Sequence, residues 1–179
     1  MNEETRDPDS VAEDPAVLGE EGDDEIVVEA SHDPTDPPAS GEAYSTFRVM
    51  HLESVLYDLT DTSPLVHLME AESPYRYLAI PIALSDAIAL HHAQGSISAR
   101  RPSTGELMTT ILTRLQAEVI AARIVRYEEG VFYSELDLMT PKGREVFDCR
   151  TSDALILAKR QRVHAPILCA EEVLSLYFA

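Results

Sequence analysis

The stretch VIAARIVRYEEGVFYSELDLM, residues 119–139, decides the fold class. Two runs rich in Val, Ile, Leu and Tyr flank Glu128-Glu129-Gly130. Apolar and polar side chains alternate along both, and a short loop ending in glycine is a hairpin signal. Residues 119–127 and 131–139 are therefore expected to be antiparallel strands. Working upstream, residues 47–59 read as a strand and Asp61-Thr62-Ser63-Pro64 as a turn. Residues 64–70 and 75–82 read as a second hairpin across Glu72-Ser73-Pro74. Ser85 is expected to cap a helix that runs to Gln94 and stops at Gly95. A loop, Arg100-Arg101-Pro102, leads into Ser103-Thr104-Gly105-Glu106, which has capping-box spacing. Leu107, Ile111, Leu112 and Leu115 follow at helical intervals. Downstream come a turn at Pro141-Lys142-Gly143 and a strand over 145–149. A helix capped by Ser152 is expected to reach Arg162, followed by a strand at 166–168 and a helix at 171–177. The order is βββ-αα-βββ-α-β-α. Strands arrive in hairpins rather than in βαβ alternation, which makes the class α+β, an antiparallel-rich sheet with helices packed on one side.

One segment echoes another. Leu84-Ser85-Asp86-Ala87-Ile88-Ala89-Leu90 resembles Thr151-Ser152-Asp153-Ala154-Leu155-Ile156-Leu157. Each follows a strand hairpin and a short extended stretch. Ser and Asp at a helix start satisfy orphan N–H groups and complement the dipole, and Ala permits close helix–sheet packing. The echo points to a duplicated β-hairpin–helix unit.

Charge divides the 179-residue chain. The whole carries 32 acidic and 14 basic side chains, a net charge of −18. Residues 1–43 hold 15 acidic side chains and a single basic one, Arg6, together with five of the 11 prolines. Such a segment cannot offset its chain entropy by burial and is expected to be a disordered acidic tail. It reads as a solubilising tail or, more sharply, as a nucleic-acid mimic competing for the domain's basic residues. Residues 44–179 then form one domain with a net charge of −4. That balance excludes the usual strongly basic nucleic-acid binder. Arg100, Arg101, Arg114, Arg123 and Arg126 are close enough in sequence to form a local basic groove. The longest apolar run, residues 78–84, is too short to span a bilayer. The first ten residues lack the pattern of a secretory signal, and two cysteines, Cys149 and Cys169, make no disulfide framework. A cytoplasmic, reduced protein without membrane contact is expected.

There is no glycine-rich phosphate loop, CxxC, HExxH or GxSxG. His91 and His92 point about 100° apart on a helix and cannot share one metal; one is expected exposed and the other half-buried. Two loop-to-helix junctions remain, residues 100–106 and 148–153. Each sets an arginine before a helix N-terminus, where free N–H groups attract anions, and adds carboxylates within five residues. Carboxylates can hold Mg²⁺ or Mn²⁺, and arginine with the metal stabilises charge on phosphoryl oxygens. The plainer reading is ion pairing: Asp148 and Arg150 share a strand face.

These junctions carry a resemblance. Asp148-Cys149-Arg150-Thr151-Ser152-Asp153-Ala154 is similar to the Asp-x-Arg-Pro-Ser-Asp-Ala helix opening of the bifunctional nuclease domain family of bacteria and plants. The resemblance runs from Phe47 to Phe178. It includes Leu78-Ala79-Ile80-Pro81-Ile82, Arg101-Pro102-Ser103-Thr104, Gly130-Val131-Phe132-Tyr133-Ser134, Pro166-Ile167 and Glu171-Glu172-Val173-Leu174. Where the family has Thr-His-Asp, this chain has Thr104-Gly105-Glu106, so the histidine is gone and a carboxylate stays. Thr151 replaces a proline, and Ala83-Leu84 stand where a glycine is usual. The resemblance implies phosphodiester hydrolysis of RNA and DNA by a divalent-metal-dependent nuclease. On that reading Asp148, Asp153 and Glu106 are the catalytic carboxylates, and Asp148 and Asp153 hold Mg²⁺ or Mn²⁺. Arg101, Arg150 and Ser152 contact substrate. The alternative is a non-catalytic, homo-oligomeric regulatory module whose Arg/Asp cluster pairs subunits or holds a small anion. Residues 119–125 and 174–178 offer apolar material for its subunit interface.

Overall fold

A computed structural model describes residues 46–57, 63–95 and 100–178. The tail expected over 1–43 lies outside the described residues, as do Asp61 and Thr62 of the first turn. The elements are β1 (Phe47–Leu56), β2 (Leu65–Glu70), β3 (Tyr77–Pro81), α1 (Leu84–Gln94), α2 (Thr104–Arg114), β4 (Glu118–Glu128), β5 (Val131–Thr140), β6 (Gly143–Arg150), α3 (Thr151–Lys159), β7 (Ile167–Ala170) and α4 (Glu171–Tyr177). This is the order read from the sequence, and the fold is α+β.

The strands form one seven-stranded sheet in the order β3-β2-β1-β7-β4-β5-β6. β1-β2-β3 and β4-β5-β6 are antiparallel meanders. β7 joins them, antiparallel to β1 and parallel to β4. The β4–β5 hairpin turns on Glu129 (φ 50°) and Gly130 (φ 83°). Positive φ at both loop residues is the type I′ geometry, whose twist matches that of the strands. The two meanders are each followed at once by a helix, α1 after β3 and α3 after β6. The echo seen in the sequence is thus a repeated βββα unit.

Helices cover one face of the sheet. Val66, Leu68, Leu78 and Ile80 from the first meander, Ile124 and Phe132 from the second, and Leu90, Leu155 and Leu174 from three helices share one core. A second cluster, with Val119, Leu136, Leu138 and Leu157, continues it under α3. Seven of the nine α3 residues are buried, which makes α3 the central helix. Alternation sends Arg123, Glu135 and Asp137 to the opposite, helix-free face. Residues 119–125 lie within β4, inside the sheet and largely in the core, so they are not an interface strand.

Two expected caps are corrected. The N-cap of α1 is Ala83 and that of α3 is Arg150, neither with a side-chain cap bond. α3 starts as soon as β6 ends and α1 starts with two residues between it and β3, which leaves Ser85 and Ser152 inside the first turn, past the capping position. The capping box of α2 forms as read: Ser103 Oγ accepts from the Glu106 N–H, and the Glu106 carboxylate accepts from the Ser103 N–H. Among the described residues no helix is long and apolar enough to cross a membrane.

Candidate functional site

The repeated unit places Ser85-Asp86 and Ser152-Asp153 at the same two positions of their helices. α1 packs against α3, and the two helix starts meet. Ser152 Oγ donates to Asp86 Oδ2 at 2.8 Å across 66 residues of sequence. Arg150, the last residue of β6, lies over both carboxylates. Its Nε and Nη2 donate to the two oxygens of Asp153 at 2.8 and 3.0 Å. Its Nη1 stands 3.4 Å from Asp86 Oδ2. The Asp86 side chain is only 15% exposed, whereas those of Asp153 and Arg150 are 41% and 66% exposed. One guanidinium therefore bridges a recessed carboxylate and an open one. The pair raises the pKa of Arg150, through the Asp153 hydrogen bonds first and the charges of Asp153 and Asp86 next.

The remaining sequence candidates fall elsewhere. Asp148 is exposed on β6, opposite Glu135 in the ladder. Arg150 turns away from it to Asp153 and Asp86, so the simple Asp148–Arg150 pair does not form. Glu106 closes the α2 capping box and lies 3.4 Å from Arg160 Nη1, beyond the far end of α3. Seven residues of rise separate Arg160 from Asp153, about 10 Å along the helix axis. Arg101 is exposed in the lead-in to α2. The structure thus brings together Arg150, Ser152 and Asp153, and leaves Glu106 and Arg101 apart from them.

The basic groove does not assemble either. Arg123 pairs with Glu135 at 2.8 Å and Arg126 with Glu128 at 2.7 Å. Both stand on the helix-free face, where Arg126 lies 3.8 Å above the Tyr133 ring. Arg100, Arg101 and Arg114 belong to α2 and its lead-in, on the helical side.

The site residue missing from the sequence reading is Asp86. Its signal was present: the Ser-Asp-Ala repeat pairs Asp86 with Asp153. Nothing local says that the two copies touch.

The neighbouring thiol is held in its protonated form. Burial, with the charges of Asp153, Asp148 and Glu135 adding, pushes Cys149 up to about 11. Thiol reactivity requires the thiolate. His91 is exposed and His92 half-buried, as expected, with ring centroids 6.4 Å apart. No group of three or more His, Cys, Asp or Glu that could hold a metal exists among the described residues. Mg²⁺, however, is commonly held by one or two carboxylates, with water and substrate phosphate completing its shell. Asp86 and Asp153 are two such carboxylates, and both are paired with Arg150.

The model of the bifunctional nuclease domain matches residues 66–177, a span that begins in β2, ends in α4 and contains the whole Arg150 site. The chain belongs to the bifunctional nuclease domain family. Two proteins of Mycobacterium tuberculosis, from two strains and both named uncharacterized, are each 35% identical to it over 112 residues, 63% of this chain. The chain spans 65% of the length of these curated relatives. In this bifunctional nuclease domain the family's Asp-x-Arg…Ser-Asp opening becomes a strand end that hands Arg150 to two helix starts. Its Gly105, where the resemblance expects histidine, sits tightly against α3. A Cβ there would meet Ile156 Cγ2 at 2.9 Å and Arg160 Nε at 3.3 Å.

Proposed function

We propose that this bifunctional nuclease domain hydrolyses phosphodiester bonds of RNA and DNA at the joined starts of α1 and α3. The observation that carries the reading is the convergence of Asp86 and Asp153 on one exposed guanidinium, with Ser152 bonded to Asp86, inside the matched family span. Asp153 and Asp86 would hold Mg²⁺ or Mn²⁺, which when bound stabilises phosphoryl charge and lowers the pKa of water. Arg150 donates to a non-bridging phosphate oxygen, since its exposed guanidinium is the group a phosphate reaches first. Ser152 fixes the recessed Asp86 carboxylate through its hydroxyl. Asp148, two residues before Arg150, borders the site from the strand. Glu106 acts in the fold, by capping α2, rather than in the chemistry. The overall −4 charge of residues 44–179 makes substrate binding weak and strongly salt-dependent.

A second reading rests on the same geometry. Arg150 is already paired with Asp153 and Asp86, an arrangement that also suits a cluster fastening the two repeats in a non-catalytic binding module. Cleavage of labelled single-stranded RNA and DNA by the full chain separates the two, measured with Mg²⁺, with Mn²⁺ and with EDTA. The nuclease reading expects metal-dependent cleavage that falls at least about 100-fold in Asp153→Asn and in Asp86→Asn. Both variants are checked for folding by circular dichroism. Equal cleavage by the wild type and both folded variants would sink it.

A further inference from the structure

The two edges of the sheet differ in a way that concerns a partner rather than the site. β3 is five residues long and ends on Pro81, and its Ala79 N–H is taken by the Tyr177 hydroxyl at 3.4 Å. Short length, proline and a covering side chain keep an edge from pairing with another chain. β6, at the other edge, is eight residues long, and no such cover exists for it among the described residues. Val146 and Phe147 in its middle are 45% and 48% exposed.

The outward backbone groups of β6 can be assigned. Thr140 pairs with Gly143 across only Pro141 and Lys142, so these two close the β5–β6 hairpin as a hydrogen-bonded pair. Alternation along the ladder then turns Glu145, Phe147 and Cys149 towards β5. The N–H and C=O groups of Arg144, Val146 and Asp148 point out of the sheet.

We propose that β6 pairs antiparallel with β6 of a second copy of this chain, about a two-fold axis at Val146. In that register Val146 pairs with itself and Arg144 with Asp148 twice, all as hydrogen-bonded pairs, while Arg150, the last outward residue of β6, falls opposite Lys142 of the second copy's turn, past the end of its strand. Opposite charges directly across a strand pair stabilise it, and like charges oppose it. The other two-fold registers that use the same outward groups each meet a conflict. Centred on Arg144 or on Asp148, they oppose that residue to itself. Centred on Glu145, they set Glu145 against Glu145, and centred on Phe147, Arg144 against Arg150. Charge therefore selects the Val146 axis. A single strand pair is small beside a standard interface. The same edge supplies more: α2 borders the cluster that β6 Cys149 packs against. Its Leu107, Met108, Ile111 and Leu115 are 53%, 42%, 41% and 64% exposed. The inference does not depend on the nuclease reading.

Sedimentation velocity of the full chain at micromolar concentration tests it, with thermal melting followed in parallel. The wild type is expected to be a dimer. Asp148→Lys sets lysine against Arg144 twice, and the dimer dissociation constant should rise at least about tenfold. Val146→Pro removes an N–H that β5 does not use, so the hairpin ladder is kept while the two central inter-chain bonds are lost. It should give monomers. If Val146→Pro melts early, Asp148→Lys decides alone, because the Asp148 side chain is exposed and makes no ion pair among the described residues. A monomeric wild type, or a dimer unchanged in a folded Asp148→Lys, would overturn the proposal; the latter would place the contact on another face.

Discussion

Arg150 is the residue on which the candidate site turns, and it separates function from stability. Its side chain is 66% exposed, and exposed ion pairs contribute little because water and salt screen them. Arg150→Ala should therefore cost no more than about 1 kcal/mol in a urea titration while removing cleavage. A loss of several kcal/mol with cleavage intact would assign Arg150 to the fold instead. Gly105 makes the opposite case. Restoring the family's histidine there would not restore a base, because the Cβ alone meets Ile156 at 2.9 Å. Gly105→His should destabilise by about 1–3 kcal/mol, read as a lower melting temperature, without raising activity.

At the scale of elements, the local signals that were legible are those satisfied within a few residues. The α2 capping box formed as read, and Ser103→Ala should cost about 1 kcal/mol. The β4–β5 turn was visible from Gly130, but its second requirement was not: Glu129 also sits at φ 50°, a conformation that Asn adopts more readily. Glu129→Asn should raise stability by about 1 kcal/mol in chemical denaturation. Ser85 and Ser152 misled because a helix start is set by where the preceding strand stops, and both helices begin two residues earlier than their serines suggest. Asp86, the third residue of α1, is left free for contacts outside its own turn, whereas Asp153 bonds to the N-cap residue of its own helix, Arg150.

At the scale of the whole molecule, a buried carboxylate ties the first meander to α4. Glu70, with its side chain fully buried, accepts from Arg76 and Arg48 at 2.9–3.0 Å. Arg76 also grips Glu171 at the start of α4, at 2.7 Å. The Arg76 hydrogen bonds, with Arg48 adding, hold the Glu70 carboxyl at about 2 against the burial that would raise it from 4.5. A group whose pKa is lowered by folding stabilises above its unfolded value. This contribution is full above about pH 4.5 and is lost as the pH falls towards 2, on the order of 3 kcal/mol in all. Melting temperature should fall across that window in the wild type and fall less steeply in Glu70→Gln. A parallel decline in both would deny Glu70 this role.

The sequence by itself determined the elements, their order and the α+β class, because hairpin alternation, glycine turns and capping motifs act between residues already close along the chain. It also held the Ser-Asp-Ala repeat. Only the tertiary structure decided that Asp86 meets Arg150, that Glu106 does not meet Asp153, and that the short β7 lies between the two meanders. Those outcomes depend on how the apolar faces of distant elements are buried together. α3 must cover β4, β5 and β6 while packing on α1, and that demand fixes which ends of the helices touch. No local spacing encodes it, so the chemistry-bearing contacts of this chain emerge with the packing of its core.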